Sequence, residues 1–318
     1  MSFKSLKQNS KSSFDSLAKK IQENNSKGYS DGDDRFLKVE RDKGGNASIQ
    51  LRFLPPTDGE DTPFIKYYTH GFKGPTGLWY IENSLTSLGK DDALGQYNSK
   101  LWNSVDSDET PERKQVRATK RRLHYVSNVY VIKSHNDPSV DGTVRLYKYG
   151  AKIFDKINDK MFPKYDDEAS FNPFDFWEGA NFRLRVSTIQ EGNNKYPNYD
   201  KSTFDNPSAL FDDDDMLESI WKQQFKLQEF LAPSAYKSYD ELRDKVIKVL
   251  GLTEAEFEAG VLPGKLKPRG RIVDDIDDTP VERTARKPKS APPKEEPSVS
   301  DDGDDDDFLA SFKRMADD

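Results

Sequence analysis

The sequence predicts an α+β protein with a mainly β core: an OB-fold-like barrel of five short strands with flanking helices and a disordered acidic C-terminal tail. Three observations lead there. Apolar and polar residues alternate in several short segments between residues 35 and 190, and a period of two marks strands buried on one face. Over residues 205–258 the apolar residues recur at helical spacing instead. The aromatics (14 Tyr, 19 Phe, 4 Trp) fall almost entirely before residue 258, and beyond about Gly260 Pro, Lys and Asp dominate, a composition unable to bury a core. Short antiparallel strands in this number suit a small Greek-key barrel, with a split barrel or a sandwich as alternatives.

In chain order, residues 1–30 are polar, with Phe14, Leu17 and Ile21 forming a thin helical stripe that needs a surface to dock on. Residues 46–54 alternate Ile49, Leu51 and Phe53 against Ser48, Gln50 and Arg52, and Pro55-Pro56 stops the strand. Residues 64–70 and 78–82 read as strands around a Gly-Pro turn, and 87–103 as loosely helical. Residues 121–133 form a long strand, 143–149 its partner, 151–161 a short helix and 180–190 a further strand with Arg183 and Arg185 outward. Residues 214–231 carry one helical period. Ser238 to Glu241 is a capping box opening a helix that Gly251 stops, and Thr253 to Glu256 is a second box.

Composition excludes several functions. With no cysteine among 318 residues there is no disulfide, thiol nucleophile or Cys-based zinc site. His70, His124 and His135 are too scattered for an all-histidine metal centre. No apolar run is long enough to span a membrane, and the N-terminus lacks the apolar stretch of a secretory signal, so a reducing compartment is expected. Walker A, Gly-x-Ser-x-Gly and His-Glu-x-x-His motifs are missing, and the acids at 212–215 fit a helix N-terminus better than a metal, so no enzyme is expected.

The net charge of −7 is an average of unlike parts. Residues 274–318 hold 15 acids and 7 bases, a net −8, which leaves the rest at +1. Within that remainder the first 20 residues hold five Lys against one Asp, and residues 113–133 hold seven bases and no acid. Basic residues interleave with aromatics at Lys120-Arg121-Arg122-Leu123-His124-Tyr125, Arg145-Leu146-Tyr147-Lys148-Tyr149 and Lys195-Tyr196-Pro197-Asn198-Tyr199. Cations track a phosphate backbone and exposed rings stack on unpaired bases, so the pattern points to single-stranded nucleic acid. Any one of these tyrosines could equally be core; three clusters together favour binding. A single-stranded RNA-binding translational regulator would use the same surface, and a non-catalytic interaction scaffold would bury every ring.

Several stretches together resemble the single-stranded DNA-binding proteins of T-even-type tailed phages, the gene 32 or helix-destabilising family. They are Leu51-Arg52-Phe53-Leu54-Pro55, His70-Gly71-Phe72-Lys73, Trp79-Tyr80-Ile81-Glu82, Lys120-Arg121-Arg122, Gly150 with Lys152-Ile153-Phe154-Asp155-Lys156-Ile157, and Trp177-Glu178-Gly179-Ala180-Asn181-Phe182. The resemblance implies a basic arm (1–25), an OB-fold-like DNA-binding core with an inserted subdomain and a helical C-terminal part (26–260), and a linker with an acidic tail (261–318). It implies DNA-facing aromatics at Tyr97, Trp102, Tyr125, Tyr147, Tyr196 and Tyr199, and groove cations at Arg52 and Lys73 beside Lys120, Arg121, Arg122 and Lys148. Lys11-Ser12-Ser13, with Lys4 and Lys7, looks like the family's element for cooperative self-association along DNA. The tail, with Asp304, Asp305, Asp306 and Asp307 before Phe308, Leu309 and Phe312, would bind polymerase, helicase loader and recombination mediator in the cytoplasm of an infected bacterium; the protein's own mRNA is a further implied ligand. The family holds zinc with one His and three Cys. Here His70 remains, but Ser84, Asp92 and Gly95 stand at the thiolate positions, so no zinc or other cofactor is expected. Residues 85–97 would then be held by packing alone, through Leu85, Leu88, Leu94 and Tyr97.

Overall fold

The computed structural model describes residues 33–165, 167–191 and 194–266. The arm residues Lys4, Lys7, Lys11, Ser12 and Ser13, and the tail residues Asp304 to Asp307, Phe308, Leu309 and Phe312, lie outside them.

Eight strands form one antiparallel sheet: β1 (Ala47–Phe53), β2 (Phe64–Lys73), β3 (Trp79–Asn83), β4 (Arg122–Ser134), β5 (Thr143–Tyr149), β6 (Phe182–Glu191), β7 (Asn194–Asn198) and β8 (Thr203–Phe204). The order is β3-β2-β4-β1-β6-β7, with β5 paired to β4 and β8 to β6. The α+β class expected from the sequence is present, and where a five-stranded barrel was expected the described residues form an open sheet of eight strands. Strand β4 organises it. One edge pairs with β5 from Tyr125 to Val131, while the other is shared, residues 122–127 pairing with β2 and 129–134 with β1. Of the basic–aromatic cluster at 195–199, residues 195–198 lie in β7 at the sheet edge.

Alternation places the cores. Odd-numbered residues of β1 and β4 meet even-numbered residues of β6 in the main core, where Phe53 is ringed by Tyr147, Tyr149, Phe174, Phe182 and Phe204 at centroid distances of 5.6–6.4 Å. Helix α3 (Ala151–Met161) closes this face with Ile153 and Ile157. The opposite face of β2 and β4, with Ile65, Tyr67 and Val126, packs on Leu227 and Phe230.

Between β2 and β4 the chain inserts β3, a 3₁₀ turn at Leu85–Leu88, α1 (Ala93–Asn103) and α2 (Pro111–Thr119). Helix α1 buries Leu94, Tyr97 and Leu101 against Leu242, Val246 and Phe257, from the C-terminal helices α5 (Tyr239–Leu250) and α6 (Glu254–Ala259), which come after α4 (Asp214–Lys222). Both capping boxes form, at Ser238 and Thr253, and Gly251 ends α5 with φ +69°. A cap of this kind contributes about 1 kcal/mol. The single helix expected over 214–231 ends at Lys222. Asn128 of β4 accepts from the Phe225 N–H (3.0 Å) and donates to its carbonyl (2.8 Å), so this backbone bonds to the sheet instead of continuing a helical ladder.

Candidate nucleic-acid interface

Directly opposed residues of an antiparallel pair share a sheet face. The β2–β4 register opposes Lys66 to Tyr125 and Tyr68 to Leu123 on one face, and Thr69 to Arg122 on the other. Along the first of these faces, the surface passes from the buried Tyr125 ring, with exposed Lys66 opposite it, to the half-buried Tyr68 one pair further out. The Arg121 guanidinium lies 4.6 Å from the Tyr68 ring centroid and the Lys66 ammonium 5.5 Å. Lys120 is exposed at the entry to β4, and Lys73 is exposed at the far end of β2 opposite Trp79. Lys66 and Tyr68 escaped the sequence reading, although a cation and a ring two apart on a strand are the signal that could have found them.

A second cation–aromatic unit joins the inserted helices. Half-buried Trp102, in the last turn of α1, lies 3.7 Å from the Arg113 guanidinium and 5.8 Å from that of Arg117. The acid-free run at 113–133 is less positive than it reads. Asp108, just upstream, pairs with Arg113 (3.3 Å) and Arg117 (3.1 Å), and Glu109 pairs with Lys114 (3.4 Å). Tyr196 on β7 and Tyr199 after it are half-buried beside exposed Lys195, and Lys148 on β5 is half-buried.

Four predicted contact residues are internal. Arg52 is fully buried, and its guanidinium donates to Asn181 Oδ1 (3.0 Å) and to the carbonyls of Asp175 (3.0 Å) and Ser208 (2.9 Å). Burial lowers its pKa to about 10, which leaves it charged at neutral pH. It ties the backbone at Asp175 and Ser208 and the Asn181 side chain to β1 and has no exposed surface. Tyr97 is fully buried, parallel to Phe257 at 5.7 Å, and donates to the Val261 carbonyl at 2.9 Å, which makes it the joint between insert and C-terminal helices. Tyr125 lies 4.0 Å from Phe154 with rings nearly parallel, and Tyr147 stacks on Tyr149 at 5.4 Å. The pleat turns both rings into the main core, where protein rings take the place a base would fill.

The positions that match the family's zinc ligands have other work. His70 Nε2 and Asp92 Oδ1 are 3.2 Å apart, both side chains almost wholly buried, and His70 Nδ1 faces the Thr119 carbonyl at 3.1 Å. Asp92 also caps α1, accepting from the Gly95 N–H (3.0 Å), and its other oxygen accepts from the Leu85 N–H (3.1 Å). Burial alone would raise the Asp92 carboxyl, but His70 and the two N–H groups outweigh it and hold the pKa at about 2. Ser84 Oγ bonds Thr86 Oγ1 at 3.0 Å, and Gly95 offers only its N–H. One imidazole, one committed carboxylate and a neutral hydroxyl do not make a tetrahedral zinc donor set. The insert is therefore held by a polar network as well as by packing, which corrects the packing-only expectation.

Comparison with known proteins is concordant over most of the chain. A family model described as gp32 DNA binding protein like matches residues 45–250, from the start of β1 to the end of α5. Similar proteins include the "Single-stranded DNA-binding protein" of Enterobacteria phage T4, 33% identical over 276 residues (84% of this chain, 86% of the relative). The protein of the same name from Enterobacteria phage T2 is 34% identical over 262 residues (80% and 81%). That of Enterobacteria phage RB70 is 35% identical over 105 residues, 32% of this chain.

Proposed function

Because the chain belongs to the gp32-like family of phage DNA-binding proteins, we propose that it is a non-enzymatic protein that binds single-stranded DNA, largely without sequence preference, in phage replication, recombination and repair. The family match, running unbroken from β1 to α5, is the observation that carries this reading. The surface chemistry supports it: half-buried rings lie beside cations at Tyr68, Trp102 and Tyr196, suited to unpaired bases and the phosphates between them. The division of β4 between two partners on one edge supports an OB-like ancestry for the sheet.

The finer reading assigns self-association along DNA to Lys4, Lys7, Lys11, Ser12 and Ser13, and partner recruitment to the acids and rings at 304–312. It places the protein in the cytoplasm of the infected host; among the described residues no helix is long and apolar enough to cross a membrane. Titration of the full chain with short and long poly(dT) across a salt series tests DNA binding and self-association together. Expected are quenched Trp or Tyr emission, affinity falling steeply with salt, and tighter binding per site on the long strand. Absence of quenching at low salt would refute DNA binding, and equal affinity on both lengths would refute cooperativity.

A further inference from the structure

We propose that Tyr68, with Lys66 and Arg121, is a base-stacking element of the DNA surface, and that the 3₁₀ turn of the insert sets its position. The proposal rests on the DNA-binding reading above and names a subsite within it.

The ring sits where the core face of the β2–β4 pair runs out. Further in, on the same face, Tyr125 is covered by Phe154 and Phe64 packs on both. Tyr68 is the next ring outward and is only half-buried. A half-buried tyrosine beside two cations gains little from the core. It offers a π surface, a planar guanidinium 4.6 Å away and an ammonium 5.5 Å away, the groups that stack a base and meet its flanking phosphates.

The backbone of Tyr68 is held from the side away from β4. Its N–H donates to Ser87 Oγ at 2.8 Å, and its carbonyl accepts from Ser87 Oγ (3.3 Å) and from the Ser84 N–H (2.9 Å). Ser84 precedes the 3₁₀ turn and Ser87 lies within it, and the turn's first N–H, that of Leu85, is held by Asp92. The polar network at His70 and Asp92 thus fixes the turn, and the turn fixes the strand segment that presents the ring. A held backbone limits the entropy lost when a base stacks.

The test uses the full-length protein and a short poly(dT) oligomer, too short for neighbouring protomers, titrated over a salt series. Tyr68→Leu keeps bulk but removes the ring; its affinity should fall by roughly 5- to 150-fold with an unchanged salt slope. Tyr68→Phe keeps the ring and should lose less. Lys66→Gln should flatten the slope of log K against log salt by about one phosphate contact. Melting curves recorded alongside confirm that each variant is folded. Should Tyr68→Leu bind within twofold of the parent, the stacking assignment is overturned while DNA binding by the parent survives. Should the parent itself fail to bind, the functional reading falls, and the stacking assignment with it.

Discussion

Replacing Arg52 by methionine separates a buried tie from a DNA contact. The guanidinium donates three hydrogen bonds of 2.9–3.0 Å, to Asn181 and to the carbonyls of Asp175 and Ser208. Hydrogen bonds to a charged group are worth about 1.5–3 kcal/mol each, so a simple sum would be about 4–9 kcal/mol. Methionine relieves the burial of a charge and refills part of the volume, which brings the expected loss to about 3–5 kcal/mol. In a folded body of this size about 2–4 °C is lost per kcal/mol, so calorimetry on the full chain should show the melting temperature falling by roughly 6–20 °C. Below that transition, poly(dT) affinity should stay within about threefold and the salt slope should not change, because no phosphate contact has been removed. A variant as stable as the parent that bound tenfold more weakly, with a flatter slope, would refute the assignment.

Three other outcomes follow from the geometry of the insert and the buried polar groups. The Asp92 pKa of about 2 lies below the ordinary 3.8, so its stabilisation is complete above about pH 4–5 and lost as pH falls toward 2; Asp92→Asn should lower stability by about 2 kcal/mol at pH 6, and urea titrations should find the gap nearly closed at pH 2. Tyr97→Phe removes the bond to Val261 and should cost about 0.5–1.5 kcal/mol by chemical denaturation with DNA affinity unaltered, whereas a large affinity loss would restore Tyr97 as a contact. A Cβ at Gly74 would lie 2.2 Å from the Val249 carbonyl, so Gly74→Ala should destabilise by about 1–3 kcal/mol, measured by thermal melting, through separation of the β2–β3 hairpin from α5.

What could be read from the sequence was local. The caps of α5 and α6 and the bounds of α3 were legible because their signals lie within a turn or two of the element they define. Helix α2 was missed because Pro111–Thr119 is nearly all polar, although Thr110 before Pro111 is a start signal. The end of α4 at Lys222 depends on Asn128, almost a hundred residues away. The same distance problem governs the site. Arg52 looks like an outward strand residue until Asp175, Asn181 and Ser208 close over it. Alternation tells which residues share a face but not which face is covered, so Tyr125 and Tyr147 looked no more buried than Tyr68. Missing cysteines signalled a changed metal position, but not that Asp92 would join His70 there.

Strand β1 pairs with nothing near it in the chain; its neighbours are β4 and β6. On a ribosome making about 5–20 residues per second, the interval between the end of β1 and the start of β6, roughly 130 residues, is about 6–26 s. Throughout it Ile49, Leu51 and Phe53, all buried in the finished fold, have no complete face to cover them. The nascent chain is thus exposed to holdase chaperones and to mispairing with copies on neighbouring ribosomes, a hazard for any protein made in large amounts. The inserted hairpin and its helices, whose contacts within the insert are close in sequence, can take shape early but gain their α5 and α6 support only after residue 259 has been made. The order of translation thus runs against the order of closure, and the last helices among the described residues are the ones that lock the first half in place.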